Sequence, residues 1–370
     1  MFVSFAHRTA QGTATGGPLS SVPTGADIEA TLGARMALGS RDAANVFLIT
    51  GDHEAWNGPS DQTVQTMRSW GVTTVSATLV EDRAQAASNP GQQKKKKKKK
   101  KSLSNLWGLR RHSPAQAQLQ ALLGAAIFHF VGSALELRNE LEKLASLGVP
   151  MQGESKPIVV WEPSNLSLYD LQQALPLADI ASFSPNTLAM LFGSEGDVDE
   201  AAIEGYVGTL MVGEIGPSGK GIILVRSDEK HLVATKEGGL SWTPTFHTSG
   251  GHRYIHRAGT ASVFAGAFAI RFVQRGNAAE AALAGSVAES FAQEQVGLPS
   301  RDPCPNLSAQ EDYAHASYGL PRGRAAGNEV WNLVGFEVRV RELRERIAAD
   351  RRHQQSQQRR LSGETITDEM

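Results

Sequence analysis

The stretch IVVWEPSNLSLYDLQQALPLADIASFSPNTLAMLFG (158–193) contains one pattern twice, a short apolar run followed by a segment with helical spacing. Ile158 to Trp161 and Ile180 to Phe183 are predicted strands, because each is a continuous apolar run of strand length. Leu168 to Leu175 and Thr187 to Phe192 are predicted helices. Strands that alternate with helices in this way imply βαβ units.

The same alternation continues on both sides of this stretch, with one interruption between residues 81 and 126. The further predicted strands are Val46 to Thr50, Val72 to Val80, Ile127 to Val131, Gly221 to Arg226 and His231 to Thr235. The further predicted helices are Asp27 to Leu38, Ala134 to Leu147, Ser262 to Arg275, Ala278 to Gln295 and Val330 to Ile347. The predicted fold class is therefore α/β, a three-layer α/β/α sandwich with a mainly parallel sheet.

The pattern divides the chain into four regions. Residues 1–80 are the N-terminal part of the α/β domain, and residues 81–126 are an insert of low complexity. Residues 127–300 form the core of the domain. Residues 301–370 are predicted to form a loop, a helix and a polar tail that frays.

The insert contains eight consecutive lysines, Lys94 to Lys101. Adjacent ammonium groups repel one another and resist burial, so the pattern predicts a solvated, disordered segment. Binding of nucleic acid through this run is the alternative interpretation, because polycations release counterions from phosphates. Elsewhere the chain gives no reason to expect a nucleic-acid partner.

The overall composition excludes several classes of protein. The 37 basic and 38 acidic residues nearly cancel, so no global field attracts nucleic acid or a membrane. Cys304 is the single cysteine, which excludes intrachain disulfides and multi-cysteine zinc sites and favours a reducing compartment. The sequence contains neither a signal peptide pattern nor an apolar run of about 18 residues. We therefore expect a soluble, cytoplasmic protein without a membrane partner, with the nucleus as the alternative location.

Several segments, in their order along the chain, resemble the PfkB carbohydrate kinase family, and in particular its divergent fungal branch associated with killer-virus maintenance. The resembling segments are ATLGARMALG (30–39), IVVWEPSNLSL (158–168), ADIASFSPNTLAMLFG (178–193), GPSGKGIILVR (216–226), HLVAT (231–235), SWTPTFH (241–247) and VFAGAFAIRFVQRGNAAEAALAGSVAESFAQEQVGLP (263–299). The resemblance implies a ribokinase-like fold and transfer of the ATP γ-phosphoryl group to a sugar-type hydroxyl. It also implies a nucleotide and a sugar as partners, and Mg²⁺ as the ion that bridges the phosphates.

The family's phosphoryl-transfer loop precedes a helix that begins with Phe, and its last Asp acts as the base. By resemblance this loop is HRAGTAS (256–262), in which Gly259, Thr260 and Ala261 take the phosphate-binding positions and Ser262 takes the base position. A serine hydroxyl cannot accept a proton near neutral pH as a carboxylate does. The alternative is that Ser262 is a helix N-cap without a catalytic role.

The family's second motif, Asn-x-x-Glu, organises magnesium and phosphate. Here it reads NTLA (186–189), so the resemblance retains Asn186 as a weak contributor to the metal site and replaces the carboxylate by Ala189. Magnesium favours anionic oxygen ligands, and this loss should weaken its recruitment. With carboxylates missing from two motifs, the sequence leaves open an ATP-dependent carbohydrate kinase and a catalytically inactive relative that binds nucleotide or a partner.

The loop GPSGKG (216–221) resembles a loop that contributes to the family's nucleotide site. The residues implied to contact nucleotide are Gly216, Ser218, Gly219 and Lys220. The loop is not a Walker A motif, because Glu214 stands where that motif has its first glycine and because the loop opens a strand. A plain turn before the strand is the alternative.

The substrate site has the weakest signal in the sequence. Asp27 lies in the region where the family reads its sugar, but its place in the sequence favours a first-turn acid of a helix. The family's opening strand is not recognisable, which predicts an incomplete lid in residues 1–80. His247, His252 and His256 cluster in sequence but fit no zinc template, so they are interpreted as loop residues.

Overall fold

The computed structural model of the chain describes residues 2–5, 26–38, 45–50, 61–76, 123–164, 167–194, 198–248, 251, 253–255, 260–302 and 329–361. The lysine run, Gly259, His252 and His256 lie outside these residues. The predictions made for them are therefore not addressed by the structure.

The described residues contain one large sheet and one small one. The large sheet consists of β1 (Phe2–Phe5), β2 (Val46–Thr50), β3 (Thr73–Ser76), β4 (Ile127–Gly132), β5 (Ile158–Pro163), β6 (Ile180–Phe183), β7 (Ile222–Arg226), β8 (Lys230–Thr235) and β9 (Gly239–Pro244). The small sheet consists of β10 (Arg301–Asp302), β11 (Val330–Trp331) and β12 (Val334–Gly335). The order in the large sheet is β3-β2-β1-β4-β5-β6-β7-β8-β9. All neighbours from β3 to β7 are parallel, and β8 and β9 follow as antiparallel strands.

Helices cover both faces of this sheet. They are α1 (Ala26–Leu38), α2 (Asp61–Ser69), α3 (Ala134–Ser146), α4 (Leu168–Ala174), α5 (Pro185–Leu191), α6 (Glu200–Met211), α7 (Thr260–Arg275), α8 (Ala278–Gln293) and α9 (Phe336–Leu361). Val160 of β5 packs into the core formed with α1, α7, α8 and α9, whereas its neighbour Val159 packs into the core formed with α3 to α6. Successive strand side chains thus enter opposite cores. The predicted three-layer α/β/α sandwich with a mainly parallel sheet is confirmed.

Serine caps start the helices that follow three central strands. Ser133 after β4 forms a capping box with Glu136, in which each side chain meets the other residue's backbone N–H. Ser167 caps α4 and Ser184 caps α5 by accepting a hydrogen bond from a first-turn N–H. These caps satisfy donors that have no partner within the helix. They also place the three helix N-termini at the carboxyl edge of the sheet.

Four features differ from the sequence-based prediction. An opening strand does exist, since β1 lies at the centre of the sheet between β2 and β4, and its four residues are too few to produce a pattern. Helix α6 and strand β9 were not predicted. The tail predicted to fray continues as helix α9 to Leu361, because its Arg, Gln and Ala residues favour helix. This helix starts only at Phe336, because residues 330–335 form a hairpin with positive φ at Asn332 and Leu333.

Helices α1 and α7 approach each other closely through two glycines. A Cβ at Gly266 would overlap the carbonyl oxygen of Ala30, and a Cβ at Gly33 would overlap the carbonyl oxygen of Val263. The colliding atoms are backbone atoms of the facing helix, so they cannot move aside as a flexible side chain does. The two glycines therefore fix the distance of α7 from the rest of the domain.

Replacing Gly266 by Ala should lower the free energy of unfolding by about 1–3 kcal/mol or more, the usual range for overpacking of a core. Gly208 is the matched control, since it lies in α6 with nothing within 4 Å of a Cβ. Gly208→Ala should leave stability unchanged or raise it by up to about 1 kcal/mol, because Ala favours helix over Gly. Urea unfolding of the two variants compares them, and equal effects would contradict the close contact.

Candidate functional site

The candidate site lies at the carboxyl edge of the parallel strands, where α7 begins. Its centre is the carboxylate of Glu162, near the end of β5, which is 5% exposed. Glu162 Oε1 lies 2.8 Å from Nε2 of His129 in β4, and Oε2 accepts a 2.8 Å hydrogen bond from the hydroxyl of Ser262 in α7. Nη1 of Arg226, the last residue of β7, lies 2.9 Å from the same Oε2. One carboxylate thus joins three strands and a helix.

These partners keep Glu162 ionised. Burial by itself would raise the pKa of this carboxyl. The positive charge of Arg226 and the hydrogen bonds from His129 and Ser262 outweigh burial and lower the pKa to about 2. A carboxylate with so low a pKa is a weak base near neutral pH, and its oxygens already have partners. Glu162 therefore positions other groups.

Ser262 is brought to this centre by the first turn of α7, which contradicts one of the two sequence interpretations. Helix α7 begins at Thr260, two residues earlier than predicted, so Ser262 is its third residue and is not an N-cap. Its hydroxyl donates to Glu162 across 100 residues of sequence. The capping alternative is therefore wrong, because the side chain turns towards the sheet.

A second cluster holds the first residue of α7. Thr260 donates a 3.0 Å hydrogen bond to Oε1 of Glu289 in α8. Nε2 of His231, at the start of β8, lies 2.7 Å from Glu289 Oε2, an ion-pair distance at which the two atoms are not aligned for a hydrogen bond. His231 is the cross-strand neighbour of Arg226, so the two clusters are adjacent. In both clusters the carboxylate stands between hydroxyl and imidazole, whereas a nucleophilic triad needs the imidazole in the middle.

The segment that leads from β9 to α7 is held by the C-terminal helices. Glu294, just beyond α8, contacts His247 at 3.1 Å and Arg339 of α9 at 2.7 Å, and accepts a hydrogen bond from Asn332. Burial would raise the pKa of Glu294, but these three groups lower it to about 2. Burial lowers the pKa of His247. Farther along the chain, the backbone N–H of Ile255 donates a hydrogen bond to the carbonyl oxygen of Gln293.

The structure places the second predicted motif at the same edge. Asn186 and Ala189 lie in α5, which directly follows β6. Asn186 is exposed, whereas Ala189 is 4% exposed and packs as a small core residue. Asp27 is the second residue of α1, in the position of a first-turn acid.

The loop GPSGKG is not brought together with Ser262. It directly precedes β7 and therefore lies at the amino edge of the sheet, while Ser262 lies at the carboxyl edge. Gly216 and Gly219 have φ of 70° and 67°, conformations that favour glycine in a turn. Ser218 is exposed, and Lys220 makes a solvent-exposed ion pair with Glu237 at 3.7 Å. Contact of this loop with a nucleotide remains a prediction.

The donors at the carboxyl edge suit a phosphate group better than a metal ion. The first N–H groups of α7 have no acceptors within the helix, and the helix dipole adds positive potential there. These groups would hold phosphate oxygens of ATP. For Mg²⁺ the residues do not fit, because Ala189 offers no oxygen while Glu162 and Glu289 are engaged by hydroxyls and cations. The part of the chain that the structure describes contains no group of three or more His, Cys, Asp or Glu able to hold a metal ion.

Sequence reasoning missed Glu162, Arg226 and Glu289. Glu162 stands inside the quoted stretch, as an acid near the end of an otherwise apolar strand. Arg226 likewise ends the apolar strand IILV. A charged residue at the carboxyl end of a buried parallel strand is the signal that could have identified both, since ligands bind at that edge of open α/β sheets.

Comparison with solved structures confirms the fold. Ribokinase from Giardia lamblia matches with a TM-score of 0.54 at 14% identity, covering 80% of this chain and 93% of that one. Adenosine kinase from Anopheles gambiae, solved with P1,P4-di(adenosine-5) tetraphosphate, matches with a TM-score of 0.50 at 12% identity, covering 74% of this chain and 80% of that one. At these identities the likeness concerns the fold, which is ribokinase-like.

Comparison of sequences is less informative than comparison of structures. No family model matches the chain. An uncharacterized protein of Schizosaccharomyces pombe is 25% identical over 199 residues, which are 48% of this chain. The match spans 54% of the length of that relative. Among the helices described here, none is long and apolar enough to cross a membrane.

The low pKa of Glu162 predicts how stability depends on pH. Above pH 4.5 this carboxyl is ionised in the folded and unfolded chain, so its full stabilisation is present. As the pH falls to about 2 the unfolded chain binds the proton first, and the stabilisation is lost. Glu162→Gln should therefore reduce the loss of stability between about pH 4.5 and 2. Part of the loss should remain, because the pKa of Glu294 is also lowered to about 2.

Urea unfolding at a series of pH values measures this effect. At pH 7 Glu162→Gln should cost about 3–5 kcal/mol, because it removes the charge that compensates buried Arg226. The control is Glu214→Gln at an exposed position, which should change neither the pH dependence nor the stability. An unchanged slope in Glu162→Gln would contradict the assigned pKa.

Proposed function

We propose that this chain is a ribokinase-type phosphotransferase that transfers the γ-phosphoryl group of ATP to a hydroxyl of a sugar or nucleoside. The observation that carries the proposal is the hydrogen bond from Ser262 to Glu162, which fixes the first turn of α7 at the carboxyl edge of a ribokinase-like sheet. Open α/β sheets bind ligands at that edge. The adenosine kinase and ribokinase folds support the choice of acceptor class, and the quoted segments support the narrower likeness to the fungal branch.

The chain's own residues supply positioning and positive potential. The first-turn N–H groups of α7 bind phosphoryl oxygens, and Thr260 and Ser262 hold this turn in place through Glu289 and Glu162. ATP supplies the transferred group. The residue at the base position is Ser262, whose hydroxyl does not take up the proton of the acceptor hydroxyl. The absence of a general base lowers the rate by about 10²–10⁴-fold. The proposed enzyme is therefore slow.

A second candidate function is a non-catalytic relative that binds nucleotide. Two observations favour it. Glu162 has a pKa of about 2 and three partners, so it does not replace the missing base. Ala189 leaves the second motif without its acid. Binding of ATP without turnover distinguishes this function from the first.

Moving the carboxylate from β5 to α7 tests the proposed function. The variant Glu162→Gln/Ser262→Asp keeps one acid beside Arg226 but places it at the base position. It should raise the turnover of ATP with the best acceptor by about 10²-fold or more, the usual contribution of a general base. Glu162→Gln alone is the matched control and should not gain turnover.

The assay is release of ADP in the presence of Mg²⁺ against a panel of sugars and nucleosides, with product confirmed by mass spectrometry. Slow turnover by the natural chain and a gain in the double variant would support the kinase. Absence of any phosphorylated product from both proteins would contradict it. Tight ATP binding in that case would establish the second candidate.

A further inference from the structure

Arg226 has more hydrogen-bond donors than the structure uses. Its side chain is only 8% exposed, and its guanidinium carries five N–H groups. Within the described residues its ion pair is the 2.9 Å contact of Nη1 with Glu162. Neither Nε nor Nη1 has an aligned hydrogen-bond acceptor there. Buried donors without acceptors are costly, so this arrangement requires an explanation.

The surrounding acids do not supply the missing acceptors. Glu162 uses Oε1 for His129, and it uses Oε2 for both Ser262 and Arg226. Glu289 is engaged by Thr260 and His231. Neither carboxylate thus gives Nε or Nη1 of Arg226 an aligned acceptor. What this place lacks is an additional anionic acceptor.

The first turn of α7 adds donors at the same place. Ser262 and Arg226 contact the same oxygen of Glu162, so the guanidinium lies beside this turn. Hydroxyls of Ser and Thr in the first turn of a helix often cap its backbone N–H groups. Here the hydroxyls of Thr260 and Ser262 point to carboxylates instead. The end of a 16-residue helix therefore keeps its affinity for anions.

We propose that Arg226 and the N-terminus of α7 together bind a phosphate group of the ligand without a protein-bound metal ion. The proposal rests on the site assigned above and specifies how that site neutralises charge. A guanidinium matches the geometry of a phosphate and holds its charge permanently. It supplies the positive charge that a magnesium ion would otherwise bring, at an edge where Ala189 offers no carboxylate to organise that ion. Glu162 holds Arg226 in place and competes with the phosphate for it.

Calorimetric titration with ATP and with inorganic phosphate, in EDTA and in Mg²⁺, tests this proposal on the full chain. The dissociation constant of ATP for the natural protein should differ by no more than about threefold between the two conditions. Glu162→Gln/Arg226→Gln removes both members of the buried pair and so leaves neither charge uncompensated. It should bind both probes at least about tenfold more weakly, the size expected for a lost hydrogen bond to a charged group.

Three further variants separate recognition from a structural role. Arg226→Lys keeps the charge but loses the planar fork, so it should bind phosphate more weakly than the natural protein while remaining folded. Glu162→Gln frees Arg226, so phosphate should bind more tightly and should raise its melting temperature more than that of the natural protein. Arg344→Gln removes an exposed arginine of α9 that pairs with Glu280, and it should change neither measurement.

The outcomes also distinguish this proposal from the proposed function. A requirement for Mg²⁺ in ATP binding, or unchanged phosphate affinity in both Arg226 variants, would overturn the assignment of Arg226 even if the chain were an active kinase. Binding in EDTA that depends on Arg226 would support it even if no acceptor were phosphorylated. If the double variant does not fold, the opposite shifts expected of Arg226→Lys and Glu162→Gln still decide the matter.

Discussion

A single buried carboxylate, that of Glu162, connects the sheet to the helix that carries the candidate site. Three groups from three different elements converge on it, His129 from β4, Arg226 from β7 and Ser262 from α7. An isolated buried charge is very costly, so the carboxylate is tolerated only when all of these partners are in position. The register of the parallel strands and the position of α7 are therefore linked through one side chain.

This constraint explains the chemical character of the carboxyl edge. The partners that keep Glu162 ionised also lower its pKa to about 2, and so deprive it of use as a base. The hydroxyls of Ser262 and Thr260 donate to carboxylates, so the proposed phosphate site consists of the backbone of α7 and the guanidinium of Arg226. The result is an edge that is rich in donors and poor in free oxygen ligands. Such an edge is the basis for the proposal that it binds phosphate and lacks a general base.

The strands and helices near residues 158–193 were predictable because their apolar runs and helical spacing act locally. The strands β5 and β6 lie where those runs predict them. The pattern failed where elements are short or contain glycine, as in β1 and in α6, whose sequence includes Gly205 and Gly208. In these elements tertiary packing overrides weak local preference.

The site was only partly predictable, for a different reason. The resemblance placed Ser262 at the base position, and the structure brings this residue to a carboxylate. The carboxylate itself carries no periodic signal, and its partners His129 and Ser262 lie 33 and 100 residues away in sequence. The resemblance also suggested the loop GPSGKG as part of the nucleotide site. Only the topology shows that this loop and Ser262 lie at opposite edges of the sheet.

The central claim is that the carboxyl edge, at the start of α7, is where this chain binds phosphate. A crystal structure of the protein soaked with ATP tests it most directly. The account predicts a phosphate group at the first turn of α7, within hydrogen-bond distance of the guanidinium of Arg226. Phosphates bound instead at Gly216 to Gly221, at the amino edge, would contradict it.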